Sequence, residues 1–488
     1  MMNTALVIPV RLFGRWEGFL HSWGCFRLFL LVLLLCSPAV VFSQQRWERN
    51  YGGTGDDRGY SVQQTRDGGY IVAGWTTSFG YRHQVYLIKT NAQGDTLWTR
   101  HYGGAEYDWG NAVQQTSDGG YIIAGFTDSF GDSGQVYLVK TNATGDTLWT
   151  RTYGWAGCDE NGWSVQQTSD TGYIVAGTYD YYGVNPQVYL VKANATGDTL
   201  WTRTYGGAGW DEGRSVQQTT DGGYIVAGFT NSFGNGNQVY LIKTNASGDT
   251  LWTRTYGGAY YEEGHSVQKT SDGCYIVAGW ANSFGNGYQV YLIKTNASGD
   301  TLWTKTHGGT FSDYGYSVQQ TQDTGYVIAG NTWSFGNGDD VYLVKTDASG
   351  DTLWSRTYGG TNSDIGWGVQ QTTDGGYIIA GETNSFGNGS QVYLIKTDTN
   401  GNAAVEDNPP ARIQPLTSNL SFSVVPDPFT SFTTLPGHSS ERFSLYDISG
   451  RKVGVYKGDR IGSGLSAGVY FLRPQEGDAK PVRVVKIR

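Results

Sequence analysis

The chain has 488 residues, with 72 Gly, 17 Trp, 34 Tyr and a formal charge of −9. That length calls for more than one core, and abundant glycine and aromatics with few charges exclude a helical bundle or a disordered chain in favour of a turn-rich all-β protein. The modest acidic balance gives no basic footprint for nucleic acid, and no cationic amphipathic stretch suits a membrane surface.

Residues 1–43 read as a signal segment. Arg27 precedes the apolar run Leu28 to Cys36, and Val41-Phe42-Ser43 suits a cut before Gln44. The run is too short for a permanent membrane helix. Leu35 is too bulky for a lipoprotein site at Cys36, and the long stretch before Arg27 leaves the translation start open. Cys158 and Cys274 remain beyond this segment, at different positions of their repeats, so no bridge between them is expected.

From Trp47 onward one unit recurs. Trp stands at 47, 98, 149, 201, 252, 303 and 354, and a Tyr-Ile-Val-Ala-Gly block or a close variant begins at Tyr70, Tyr121, Tyr173, Tyr224, Tyr275, Tyr326 and Tyr377. Each unit of about 51 residues holds four expected strands, in the first copy Ser61–Thr65 (a), Tyr70–Gly74 (b), Val85–Ile88 (c) and Thr96–Tyr102 (d). Asp67-Gly68-Gly69 and Asn91-Ala92-Gln93-Gly94-Asp95 supply turns between them. Continuous apolar runs in b and c need cover on both sheet faces. Stacked four-stranded blades give that cover, and radial closure leaves only short edges. The expected fold is therefore a seven-bladed β-propeller over residues 44–401, rather than a parallel β-helix.

The ends support closure. A d strand at Trp47–Tyr51 precedes any a strand, and the last unit stops after its c strand near Lys396. The first strand should complete the last blade.

The turn before each Trp, as in Thr346-Asp347-Ala348-Ser349-Gly350-Asp351-Thr352-Leu353-Trp354, resembles the tryptophan-docking turns of quinoprotein propellers and, more faintly, the Asp-box of sialidases. The chain lacks the vicinal cysteines of the quinone-binding members. Its arginines, such as Arg100, Arg151, Arg203, Arg254 and Arg356, recur two residues after the Trp, as blade structure would.

In a propeller the d–a and b–c loops surround one mouth of the central channel. An acid stands there in every unit: Asp57, Asp108, Glu160, Asp211, Glu262, Asp313 and Asp364. Seven carboxylates could form a cation ring, with calcium the one cofactor to consider. Alternatively each caps its own turn, which recurrence in every blade favours. Positions that change from copy to copy suggest a ligand surface instead: Trp109, Trp163, Trp210, Arg214, His265, Tyr314 and Trp367. Aromatics mixed with polar groups suit sugar rings or a protein partner. Packing between blades is the competing role.

Residues 402–418, with Pro409, Pro410 and Pro415, read as a linker. Strand-like patches follow at Leu420–Val425, Phe443–Tyr446, Lys452–Tyr456, Val469–Arg473 and Val482–Ile487, expected to form a small immunoglobulin-like β-sandwich over 419–488. Val425-Pro426-Asp427-Pro428-Phe429, Leu445-Tyr446-Asp447-Ile448-Ser449-Gly450-Arg451-Lys452-Val453, Leu465-Ser466-Ala467-Gly468-Val469-Tyr470-Phe471-Leu472-Arg473 and Val484-Val485-Lys486-Ile487-Arg488 occur in order. This tail resembles the type A C-terminal sorting domain of the type IX secretion system of Bacteroidetes-like bacteria, with Asp427 where that family usually carries Asn. The resemblance implies partnership with that secretion machinery and delivery outside the cell or to its outer surface.

No catalytic constellation is evident. The histidines lack metal-ligand spacing, and no nucleophile elbow or phosphate loop occurs. The expectation is a monomeric binding protein for a polysaccharide or envelope protein. A glycan-cleaving enzyme and a passive adhesion or scaffold protein are the alternatives.

Overall fold

The computed structural model describes residues 45–403 except 81, 182, 183 and 337, and in the C-terminal part 442–447, 451–457, 460–461, 465–474 and 482–486. The expected leader, most of the linker and the patch Leu420–Val425 lie outside the described residues.

The repeat builds seven four-stranded antiparallel sheets. In chain order the first strands are β1 (Trp47–Tyr51), β2 (Asp57–Gln64), β3 (Tyr70–Thr76), β4 (Gln84–Thr90) and β5 (Thr96–Tyr102). β2 to β5 form blade I, and the following units form blades II to VI in the same order. Blade VII takes three strands from residues 364–397 and its outer strand from β1, paired in register from Trp47 opposite Lys396 to Tyr51 opposite Val392. The ring is closed by hydrogen bonds between its two chain ends, as the displaced first strand requires.

In blade I strands b and c are buried along their whole length, while strand d alternates outward and inward. Each Trp of strand d packs against the Tyr that opens the next blade's strand b, edge-on in six of the seven pairs, as Trp98 does to Tyr121 at 5.9 Å. The Tyr ending strand d donates its hydroxyl to the next blade's c–d turn, Tyr102 to Gly145 O at 2.7 Å. In five blades the arginine two residues after the Trp lies over that ring, 5.4 Å for Arg100 on Trp98. Ring contacts and, at six of the seven blade junctions, a phenol bond thus latch each blade to the next, with His307 meeting Thr352 at the seventh.

The a–b turns repeat a buried cation. Lys140 Nζ donates to Thr141 O at 2.8 Å and pairs with Asp118 at 2.8 Å, and all seven blades carry this Lys–Asp pair.

Strand a is longer than the sequence suggests. It starts at Asp57, four residues before the expected Ser61, and carries a bulge between Gly59 and Ser61. The same bulge recurs in every blade. Such a bulge re-aims the extra residue's side chain. It also explains the invariant Gly of the Tyr-Ile-Val-Ala-Gly block: a Cβ on Gly74 would sit 1.7 Å from Arg58 O.

The chain divides between residues 406 and 407. In the C-terminal unit the described residues form one antiparallel four-stranded sheet from Arg442–Asp447, Lys452–Lys457, Gly468–Pro474 and Val482–Lys486. Phe443, Leu445, Ile461, Tyr470 and Leu472 make its core. Cys158 and Cys274 are both free thiols.

Candidate functional site

The seven acids do not display a cation ring. They are the first or second residues of strand a, every one is fully buried, and each is bonded within its own blade. Asp57 accepts from Gly53 N–H at 2.8 Å and from Ser78 Oγ at 2.6 Å, clasping the Tyr-Gly-Gly turn to the Ser-Phe-Gly loop. Asp108, Asp211, Asp313 and Asp364 repeat both bonds, and Glu262 repeats the bond to the turn N–H. The first glycine of the turn is obligatory here, because a Cβ on Gly52 would lie 2.2 Å from the Asp57 carboxylate and its φ is +147°. The backbone N–H of the same acids reaches the preceding blade, as Asp108 N does to His83 O at 3.0 Å. Among the described residues no group of three His, Cys, Asp or Glu could hold a metal ion.

Glu160 departs from this pattern. Blade III lacks the Ser-Phe-Gly loop, and among the described residues Glu160 accepts only from Trp155 N–H at 3.1 Å, with no partner for its second, buried oxygen. Burial pushes its carboxyl up to about 7.

Most of the varying residues lie on strand a rather than in a loop, whereas Trp210 stands just ahead of its strand at Asp211. Tyr60, Asn111, Trp163, Arg214, His265, Tyr316 and Trp367 are the bulged residues themselves, released from the ladder at the channel mouth. They read as loop because Asp-Arg-Gly-Tyr carries a glycine and two charges ahead of the regular alternation.

From blade V through VI, VII and I to II the rings form one connected arc. His265 meets Tyr316 at 5.2 Å, Tyr316 meets Trp367 at 4.3 Å, and Trp367 meets Tyr60 at 5.5 Å. Tyr60 Oη accepts from Trp75 Nε1 at 2.9 Å. Trp75 stacks on His83 at 4.2 Å, and His83 Nδ1 accepts from Trp109 Nε1 at 2.5 Å. Trp109 then stacks on Phe126 at 4.9 Å. At the other end Trp280, Tyr288 and Tyr314 join, with Trp280 4.8 Å from Tyr288 and Tyr288 5.3 Å from Tyr314. Burial lowers the pKa of His83, with Arg58 adding to the effect, which keeps the imidazole neutral as an acceptor.

Blades III and IV interrupt the arc with charge. Arg214 lies 4.2 Å over Trp163 and pairs with the buried Glu212 at 2.5 Å. Glu212 also accepts from Trp210 Nε1 at 2.8 Å, and the Trp210 ring is 52% exposed. A second ion pair, Arg58 with buried Glu382 at 2.6 Å, spans blades I and VII. Around the rim stand exposed aromatics, among them Tyr260, Phe311 and Trp333.

Two further varying positions were missed in the sequence. One is the residue after the Tyr-Ile-Val-Ala-Gly block: Trp75, Phe126, Thr178, Phe229, Trp280, Asn331 and Glu382. It pairs across the sheet with the second residue of strand a in blades I, II and IV to VII, as Trp75 does with Arg58. The other is the residue before the Gln or Asp that opens Val-Tyr-Leu, which includes His83 and Tyr288. The signal was available, since copy-to-copy variation marks both.

No protein-family model and no curated protein matches the chain. Solved structures it is similar to include Sqt1 of Chaetomium thermophilum, with TM-score 0.44 and 11% identity over 91% of this chain and 100% of that one. Others are the BP39L lectin of Burkholderia pseudomallei (0.46, 8%, covering 74% and 97%) and the Pan2 WD40 domain of Neurospora crassa (0.44, 9%, covering 74% and 98%). At these values they add nothing to the strand pairing described above.

Proposed function

We propose that the protein is an exported binding protein whose channel-mouth face takes a carbohydrate chain. One observation carries this reading: in seven near-identical repeats, variation concentrates at a few positions per blade, and these meet on one face as half-buried rings interspersed with Arg, Glu, Asn and His. Packing alone gives no reason for each blade to differ there while its opposite end stays the same. Flat aromatic faces receive the C–H faces of sugars, and the neighbouring polar groups match their hydroxyls. A mouth spanned by rings from five blades suits an extended chain rather than a single small sugar. Delivery outside the cell rests on the signal-like leader and on the tail's resemblance to a type IX sorting domain.

The test is a polysaccharide panel against the purified protein and its Trp109→Ala variant. Selective binding that weakens at least tenfold in the variant, with melting shifted by only a few degrees, supports the reading. Unchanged binding in a folded variant, or a blank panel, overturns it and directs attention to a protein partner.

A further inference from the structure

The channel below the mouth carries a second, unrelated arrangement. It is an open cavity of about 250 Å³ lined by a Val-Gln pair from each blade, with no charged side chain in its wall. The wall glutamines form a closed hydrogen-bonded circuit. Gln63 Oε1 accepts from Gln115 N–H of the next blade at 2.6 Å, and Gln114, Gln166, Gln217, Gln268 and Gln319 do the same onward at 2.5–2.6 Å. Gln370 closes the circuit onto Gln64 N–H at 2.5 Å.

This fixes which way each carboxamide faces. An amide's oxygen and nitrogen are told apart by their partners, and only the oxygen can receive a backbone N–H. Each oxygen is therefore committed to the neighbouring blade. Each Nε2 is left as the channel-facing end, and no acceptor for it occurs among the hydrogen bonds of the described residues. Fourteen N–H bonds, two from each of seven amides, thus border a narrow uncharged bore. Oriented amide donors in a confined site favour negative charge.

We infer that the channel is an anion site, and that the ligand class is a small, weakly hydrated monovalent anion such as a halide. The neutral wall explains the class. Amide donors supply hydrogen bonds but no countercharge, which favours a singly charged anion with a small dehydration cost over a multiply charged oxyanion. The site is independent of the mouth, because it uses only residues repeated in all seven blades.

Crystals of the intact protein grown in sodium bromide test this by anomalous diffraction. A bromide peak in the bore at the level of the glutamine Nε2 atoms is expected. Gln268→Glu keeps an oxygen for Gln320 N–H and places a second, negative oxygen in the bore. It should abolish the peak in isomorphous crystals while the blades superpose. Ordered water without bromide in the parent overturns the inference, and so does a peak of undiminished height in the variant.

Discussion

The two ends of each blade obey opposite rules. At the a–b end the same Lys–Asp pair and the same tight turn occur seven times, from Lys89 with Asp67 to Lys396 with Asp374. At the channel mouth the blades differ: one backbone bulge carries five residue types in seven copies, among them Trp163 in blade III, Arg214 in blade IV and His265 in blade V. Repetition marks what the ring needs in order to close, and departure from it marks what was free to change. Where a position of the fixed frame itself departs, stability should register the departure, and three such places can be probed.

The largest effect should come from the frame's one discontinuous element. β1 contributes five paired residues and the buried Trp47, whose indole donates to Ala92 O at 3.1 Å and which packs 5.7 Å from Tyr70. Deleting residues 45–51 leaves the strand Gln391–Thr397 with an open edge and strips the latch between blades VII and I. The expected loss is about 5 kcal/mol or more, comparable to the whole margin of a folded domain. Cooperative melting by circular dichroism should vanish. A deletion that melts like the parent would mean that the ring does not depend on closure through β1.

Glu160 is the second place, because it keeps the fixed acid but loses the fixed partner. Its folded carboxyl titrates at about 7 against an ordinary 4.5, so the folded state holds that proton more tightly than the unfolded chain does. Stability from this group is whole below pH 4.5 and is lost as the pH rises through 7, at most about 3 kcal/mol. The Lys-paired aspartates run the other way. Burial alone would raise Asp118, Asp221 and Asp272, but hydrogen bonds from Lys140, Lys243 and Lys294 and their turn neighbours hold them at about 2. Their contribution is present above pH 4 and disappears as the pH falls through 2. Glu160→Gln should therefore flatten the fall in melting temperature between pH 5 and 8 and leave the acid limb unchanged. An alkaline limb as steep as the parent's would assign that slope to the other raised acids, Glu382, Asp339 and Asp128.

Much of this frame was legible beforehand for a physical reason. Fifty-one-residue periodicity, continuous apolar runs and a d strand that comes too early at Trp47 determine blade number and closure without any knowledge of side-chain contacts. The mouth was less legible. Arg58 and Tyr60 belong to strand a, yet Gly59 between them hides the alternation, and only the bulge makes the segment extended. Trp75 and His83 flank recognisable blocks without a pattern of their own, although they link Tyr60 to Trp109 in the aromatic arc. The acids were legible as recurrent. Their burial and clasping bonds depend on two loops meeting in space, which repetition alone does not specify.

The smallest effect isolates backbone strain within the fixed turn. In blades I, II, IV, V and VII the third residue after the Thr that follows strand a is Gly, with φ between +81° and +87°. Blades III and VI place Thr171 and Thr324 there, at φ +66° and +67°, in the same hydrogen-bonded turn: Thr171 N–H donates to Thr168 O at 2.9 Å, as Gly119 N–H does to Thr116 O at 3.0 Å. A Cβ at Gly68, Gly119 or Gly273 would meet nothing within 4 Å, so the penalty carries no clash and lies in the left-handed backbone of a β-branched residue. That strain, about 1–2 kcal/mol, is partly offset by the extra freedom glycine gains in the unfolded chain. Thr171→Gly and Thr324→Gly should each stabilise by about 0.5 kcal/mol, and the two should add because they sit in separate blades. Gly119→Thr should cost a similar amount. Chemical denaturation reads both directions, and opposite signs for the two exchanges identify strain, whereas a shared sign would place the effect in contacts of the threonine side chain.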